Sequence, residues 1–520
     1  MEYARGLVVF LVSLGLIAVS YNPIFARGNA EAGKDVYQKR CQGCHGEKGD
    51  GKSLAAVFLY PKPADYTAGK FKLRSTPSGE MPTDEDTFKT LTNGISGSAM
   101  PSFAYISEDE RWDVIQYIKT LTVYFDEEEG KVYNLFELRG TPHPITVAPE
   151  PSMAAETLTK AKAIYEREKL GCVKCHGRLG KGDGPSAAEQ TDDWGRPIKV
   201  RDFTTGVFKG GNTNRDIYLR FATGMSGTPM PAFSGEQISD EDRWLLVQYV
   251  QSLKNPDVKI VAPLADPTIV ATHTNDDIPE DNPDAAIWQS ATEYAIPLNR
   301  LWQPEIIPMH VRVRTLYNDK EVAIRLEWDD ATQDMNYSKE QNFRDGAAVQ
   351  FSPSGEFPFI GMGNGKSMTG LEIPVNIWHW KGDWQADSGF YQDIQQTYPN
   401  MHVDTYYFPK EVQDSTYLSG RASGNLFSRE HRPSVIENLN AIGFGSLESQ
   451  ALSSQSVKGA GCWADKRWAV VFKRSLGSSD DRNVKFSKGT AIPISFAVWD
   501  GAREDRDGIK FVSTWLRLKM

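Results

Sequence analysis

The chain has 520 residues and a net charge of −10, from 68 acidic and 58 basic side chains. That length calls for several domains, and the acidic balance gives nucleic acid no electrostatic footing while leaving room for steering toward a basic protein partner. Its five cysteines are too few for a disulfide-built scaffold.

The chain opens with a short, weakly basic segment and an apolar run from Gly6 to Ser20. This pattern predicts a signal peptide over residues 1–30, cleaved after Ala26 or Ala30. An uncleaved anchor competes with it, because about 15 apolar residues fall just short of a span. Export to a periplasm or an equivalent extracytoplasmic compartment follows, with no membrane span after cleavage.

Two motifs then dominate the first half, Cys41-Gln42-Gly43-Cys44-His45 and Cys172-Val173-Lys174-Cys175-His176. In each, two thiols are spaced to add to the two vinyl groups of one haem, and the adjoining imidazole can hold its iron. A zinc knuckle does not require that histidine, and a dithiol redox site would want a βαβ context that is absent. Two haem c groups are therefore expected on Cys41, Cys44, Cys172 and Cys175, with His45 and His176 as iron ligands. Cys462 is left over without a partner and reads as a small buried hydrophobe.

The motifs belong to a duplication. Gly49-Asp50-Gly51, Asp65-Tyr66-Thr67, Met100-Pro101-Ser102-Phe103 and Arg111-Trp112 follow Cys41 in order. Gly182-Asp183-Gly184, Asp202-Phe203-Thr204, Met230-Pro231-Ala232-Phe233 and Arg243-Trp244 follow Cys172 in the same order. The spacing is 59 residues from Cys41 to Met100 and 58 from Cys172 to Met230, which means two copies of one domain, placed at 31–125 and 150–254. Trp112, Ile115 and Ile118, like Trp244, Val247 and Val250, recur at helical spacing, with Ser107 and Ser239 as N-caps. A helix, a haem motif, a loop methionine and a closing helix resemble the small all-helical c-type cytochrome domains. Met100 and Met230 are the expected second iron ligands, with Met81 and Met225 as rivals. Filling both axial positions leaves no open site for a substrate, so no catalytic residue is assigned.

Residues 255–284, rich in Pro, Asp and Thr, read as a linker. Beyond them the pattern turns to strands: Val311, Val313 and Thr315 alternate, and after Asn318-Asp319-Lys320 so do Val322, Ile324, Leu326 and Trp328. Ten of the 13 tryptophans lie beyond residue 280, which implies a large aromatic core or apolar pocket in a β-sandwich over 285–520. The fold class is thus multidomain: two all-α cytochrome c domains followed by a mainly-β sandwich. Asp505-Arg506-Asp507-Gly508 lacks the remaining ligands of a calcium loop.

Leu326-Glu327-Trp328-Asp329-Asp330, Asp345-Gly346-Ala347-Ala348, Gly361-Met362-Gly363-Asn364, Val375-Asn376-Ile377-Trp378-His379-Trp380, Phe496-Ala497-Val498-Trp499-Asp500-Gly501 and Gly508-Ile509-Lys510-Phe511 together resemble the haem b-binding γ subunits of the dimethyl sulfoxide reductase family. That group includes ethylbenzene dehydrogenase, selenate and chlorate reductases, and nitrite oxidoreductase. The resemblance implies one haem b held between Met362 and Lys510, with His379 as the competing ligand. It also implies partners: molybdenum and iron–sulfur oxidoreductase subunits on one side, soluble cytochromes on the other. Those γ subunits are usually single domains, whereas this chain carries two cytochrome domains in front.

The resulting expectation is an exported multihaem electron-transfer protein, a non-catalytic subunit of an oxidoreductase complex. Two alternatives stay open: a β domain that binds partners without a cofactor, and a haem enzyme whose β domain takes a small substrate.

Overall fold

The computed structural model describes residues 27–152, 156–302, 307–392, 394–402, 425–429 and 431–520. The Gly6–Ser20 run and Ala26 lie outside the described residues. Ala30 opens the first helix, whose cap is Asn29, accepting from the Glu31 and Ala32 amides at 2.8 and 3.3 Å. Cleavage after Ala30 would remove that cap.

The first copy comprises α1 (Ala30–Arg40), α2 (Gln42–His45), α3 (Asp84–Asn93) and α4 (Glu108–Leu121). Ser107 caps α4 by accepting from the Glu110 amide at 3.1 Å. Gly33 allows α1 to cross α4, since a Cβ there would lie 2.0 Å from the Asp113 carbonyl oxygen. A hairpin, β1 (Val123–Asp126) with β2 (Lys131–Asn134), and α5 (Leu135–Leu138) follow. The second copy repeats the plan with α6 (Thr157–Tyr165), α7 (Cys172–His176), α8 (Asn214–Thr223) and α9 (Asp240–Ser252). Capping boxes recur at equivalent places, Thr83 with Asp86 and Thr213 with Asp216.

The remaining strands are β3 (Thr268–Val270), β4 (Thr272–His273), β5 (Tyr294–Arg300), β6 (Met309–Tyr317), β7 (Glu321–Asp329), β8 (Gly346–Phe351), β9 (Val375–Lys381), β10 (Ile436–Ala441), β11 (Glu448–Ser449), β12 (Lys458–Ala464), β13 (Arg467–Ser475), β14 (Ala491–Trp499), β15 (Phe511–Val512) and β16 (Leu516–Lys519). They run in the order β11-β10-β9-β8-β14-β15-β5-β6-β7-β13-β12. The two ends of this path face each other across one core. Trp380 of β9 lies 4.7 Å from Trp468 of β13 and 6.1 Å from Trp328 of β7, ring to ring. This is the expected sandwich of antiparallel strands.

The expected linker is partly built into it. β3 pairs in parallel with β16 and β4 with β6. Pro and Asp content marked the stretch as irregular, but its short β-branched runs Thr268–Val270 and Thr272–His273 find free strand edges. Edge pairing of this kind depends on distant partners.

Alternation along β8, β9, β10 and β14 sends one set of side chains into the sandwich and the other outward. The outward set (Ala348, Val375, Ile377, Leu439, Ala441 and Trp499) joins Val36, Tyr37, Trp112 and Ile115 of the first copy in a single apolar cluster. Strands buried on both faces read as nearly continuous apolar runs, as Gly346–Phe351 does.

Candidate haem-binding sites

The two CXXCH segments form equivalent sites down to their backbone contacts. Tyr37 Oη donates to the Gly46 carbonyl at 2.7 Å, and Tyr165 Oη to that of Gly177 at 2.7 Å. The His45 ring faces the Ala64 carbonyl through Nδ1 at 3.1 Å, and His176 that of Arg201 at 3.2 Å. An imidazole held by Nδ1–H to a carbonyl directs Nε2 the other way, the arrangement iron ligation needs. Nε2 of His45 meets the Tyr66 hydroxyl at 3.2 Å, and the second copy has Phe203 in the place of Tyr66. Tyr66 stacks on His45 at 4.7 Å and Phe203 on His176 at 4.3 Å. Burial pushes both imidazoles down to about 4, against the raising effect of those carbonyls, so both rings are neutral at pH 7. Burial likewise pushes the Cys41 and Cys44 thiols up to about 12 and Cys172 up to about 11.

Cys41, Cys44, His45 and Met100 open onto one cavity, and Cys172, Cys175, His176 and Met230 onto another. Backbone geometry separates the rival methionines. The Ile95 amide donates to the Met100 carbonyl at 3.0 Å, and the Met225 amide to the Met230 carbonyl at 3.1 Å. Ser98 Oγ accepts from the Met100 amide and Thr228 Oγ1 from the Met230 amide, both at 3.3 Å. Met225 therefore occupies the position of Ile95, a residue that cannot ligate, and Met230 that of Met100. Met81 is buried away from the cavity, its sulfur 3.7 Å from the Arg139 guanidinium.

Both cavities fit a haem. Their walls are predominantly apolar, and Lys72, Lys209 and Arg201, which border them, form no ion pair among the described residues. Arg201 has both terminal nitrogens buried and unpartnered among the described residues. Lys72 borders the first cavity and Lys209 the second, at equivalent places in the duplicated segments Phe71-Lys72 and Phe208-Lys209. Such cations suit the carboxylates of a haem.

The first cavity is a joint construction. Leu301, Phe359, Ile360 and Thr514 from the β domain line it alongside residues of the first copy. None of these was legible as a site residue in the sequence. Phe359 and Ile360 lead into the turn that carries Met362, which has φ 69°, a left-handed conformation that costs a non-glycine residue ~1–2 kcal/mol. Asn364 holds this turn. Fully buried, it accepts from the Phe359 amide at 2.7 Å and donates to the Lys39 carbonyl of α1 at 3.0 Å. Strain sustained by a buried lock points to a function for the strained residue.

Met362 packs against the cluster that contains Trp499, and the Lys510 ammonium lies 4.8 Å from the centre of the Trp499 ring. Burial lowers Lys510 to about 8, against the opposing charge of Asp507. His379 stacks on the same Trp499 ring at 4.7 Å, and burial followed by the charges of Lys381, Arg344 and Lys510 holds it well below the usual imidazole range. All three residues singled out in the β domain thus border one outer sheet face. Cys462 lies half-buried on β12, far along the strand order from that face. Asp505 is taken up by an ion pair with Arg300, while Asp330, Asp345 and Asp500 bring carboxylate oxygens within 4.8 Å of one another, from three separate strand ends.

Comparison with known proteins agrees with this division. Residues 285–510 match the family described as ethylbenzene dehydrogenase, 28–118 that of cytochrome c oxidase, cbb3-type, subunit III, and 158–254 that of cytochrome c. The chain is 28% identical to the dimethylsulfide dehydrogenase subunit gamma of Rhodovulum sulfidophilum, over 46% of this chain and 75% of that one. It is 25% identical to the chlorate reductase subunit gamma of Ideonella dechloratans, over 46% and 79%. Among solved structures, a chain of the Kuenenia stuttgartiensis reducing HAO-like protein complex is 44% identical, covering 44% of this chain and 98% of that one, with a TM-score of 0.41. The chain is a multihaem electron-transfer protein in which cytochrome c domains are joined to a domain of the ethylbenzene dehydrogenase γ type.

Proposed function

We propose that the chain carries electrons between a molybdenum- and iron–sulfur-containing oxidoreductase and other cytochromes, in a periplasm or equivalent compartment, with three haems per chain. Cys41, Cys44, His45 and Met100 would hold one haem c, Cys172, Cys175, His176 and Met230 a second, and Met362 with Lys510 a haem b. Each bound haem would supply a one-electron couple at its iron. The residues hold it rigid, exclude water and set its potential, and thioether ligation at Met100 and Met230 favours the ferrous state. Among the described residues no helix is long and apolar enough to cross a membrane.

The observation that carries this reading is the shared wall of the first cavity. Ile360 lines it, and its carbonyl accepts from the Met362 amide at 2.9 Å. The first cytochrome copy thereby adjoins the β-domain site directly, as a relay requires. The test is a pyridine haemochrome assay with acid–acetone extraction. Two covalent c-type haems and one extractable b-type haem per chain are expected. Two covalent haems with nothing extracted, from material that has lost no cofactor, would remove the haem b assignment and leave the β domain as a docking module.

A further inference from the structure

The two cytochrome copies meet through the segment before α3 of the first and α8 with its neighbouring loop of the second. The Arg74 guanidinium donates to the Thr223 carbonyl at 2.7 Å, Arg220 donates to the Arg74 carbonyl at 2.5 Å, and Lys70 pairs with Asp193 at 2.6 Å. This contact brings the two haem c cavities side by side, and one residue borders both: Lys209 lines the second cavity, to which it belongs by sequence, and also the first. Lys72 lines only the first cavity and Arg201 only the second.

We infer that Lys209 is a positioning residue for both haem c sites at once, its ammonium set between them to pair with a haem carboxylate from each side. The inference rests on the reading of both cavities as haem sites and adds to it that they share one cation. Its physical basis is an imbalance of charge. Burial, followed by the charges of Arg201 and Lys72, holds the Lys209 ammonium well below the usual lysine range, and burial lowers Lys72 against the opposing charge of Asp192. No described carboxylate forms an ion pair with Lys209 or Arg201. Half-buried cations gathered without an ion pair are stabilised when anions are supplied, and two haems bring four carboxylates to this place. A cation that faces both sites favours the reduced state of each and couples them, because reduction of one changes the field at the shared ammonium.

Three single variants of the full chain separate this arrangement from its alternatives: K209Q, K72Q and R201Q, each read by potentiometric titration in the c-type α-band. K209Q should lower both haem c potentials, each by about a tenfold change in the reduction equilibrium, or ~59 mV for a one-electron couple. K72Q should lower one of them and R201Q the other. K209R should restore both, and an exposed control, K52Q, should move neither. If K209Q lowers only the potential that R201Q lowers, Lys209 serves the second site alone and the inference is overturned. If K209Q abolishes haem attachment, a K209R protein with both potentials at the native values supports the shared cation, and one with either potential displaced opposes it. Haem counting on the same samples keeps the outcomes distinct, since fewer than two covalent haems in the native chain would overturn the underlying reading instead.

Discussion

The ring of Phe359, from the β domain, lies so close to Gly43, inside the first haem motif, that a Cβ at Gly43 would stand 3.0 Å from it. The equivalent residue of the second motif is Lys174. Gly43→Ala should therefore wedge the β domain away from the first copy at a cost of ~1–3 kcal/mol, the usual penalty for overpacking. Calorimetric unfolding would measure it, and Phe359→Leu should recover most of the loss. Equal stability of the Gly43→Ala and native chains would mean that the contact yields freely.

Replacing Met100 or Met230 by His exchanges thioether for imidazole and should lower the potential of one haem c in each variant. Met225→Leu should leave both potentials in place, because Met225 holds the position of Ile95. A Met225 variant that lost low-spin character would reverse that assignment.

Lys510→Ala and Met362→Ala should each reduce the haem b extracted by acid–acetone while the covalent haem count stays at its native value. His379→Gln should retain the extractable haem. Loss of haem in the histidine variant alone would exchange the roles of His379 and Lys510.

Asn364→Leu strands the Phe359 amide and the Lys39 carbonyl, and each buried group left without a partner costs ~1–3 kcal/mol. Denaturant unfolding should show that loss, and the turn bearing Met362 should exchange its amides faster than in the native chain.

Burial and the Asp330 charge push the Asp345 carboxyl up to about 7, while burial and the Asp500 charge push Asp330 up to about 6. Folded-state values above the unfolded value of about 4 mean that the native chain binds more protons over that interval. The resulting contribution is full below about pH 4 and is lost as pH rises to about 7. Asp330→Asn removes one charge at an oxygen that has no hydrogen-bond partner, so it should flatten the decline and stabilise the chain at pH 7–8 by ~1–2 kcal/mol. Denaturation across pH 4–8 tests this, and an unchanged slope would refute it.

Spacing along the chain was enough to establish the haem motifs, the duplication, the capped closing helices and the change to strands after residue 285. Each of these depends on neighbours within one turn, one hairpin or one repeated unit, where the chain itself keeps the groups together. Met100 and Met230 could be matched to each other for the same reason, since the repeat aligns them. Contacts over hundreds of residues left no such trace. Asn364 with Lys39, Ile360 in the wall of the first cavity and Lys209 between two cavities depend on how finished domains dock, and the carboxylates of Asp330, Asp345 and Asp500 on how the sheet gathers separate strand ends. In sequence the second copy adjoins the β domain; in space it is the first copy that shares an apolar cluster with the β domain. That rearrangement follows from which apolar faces remain after each domain has folded. The outer face of β8, β9, β10 and β14 joins residues of α1 and α4 in one apolar cluster, because burying one large apolar surface outweighs the modest entropy of closing a long connection.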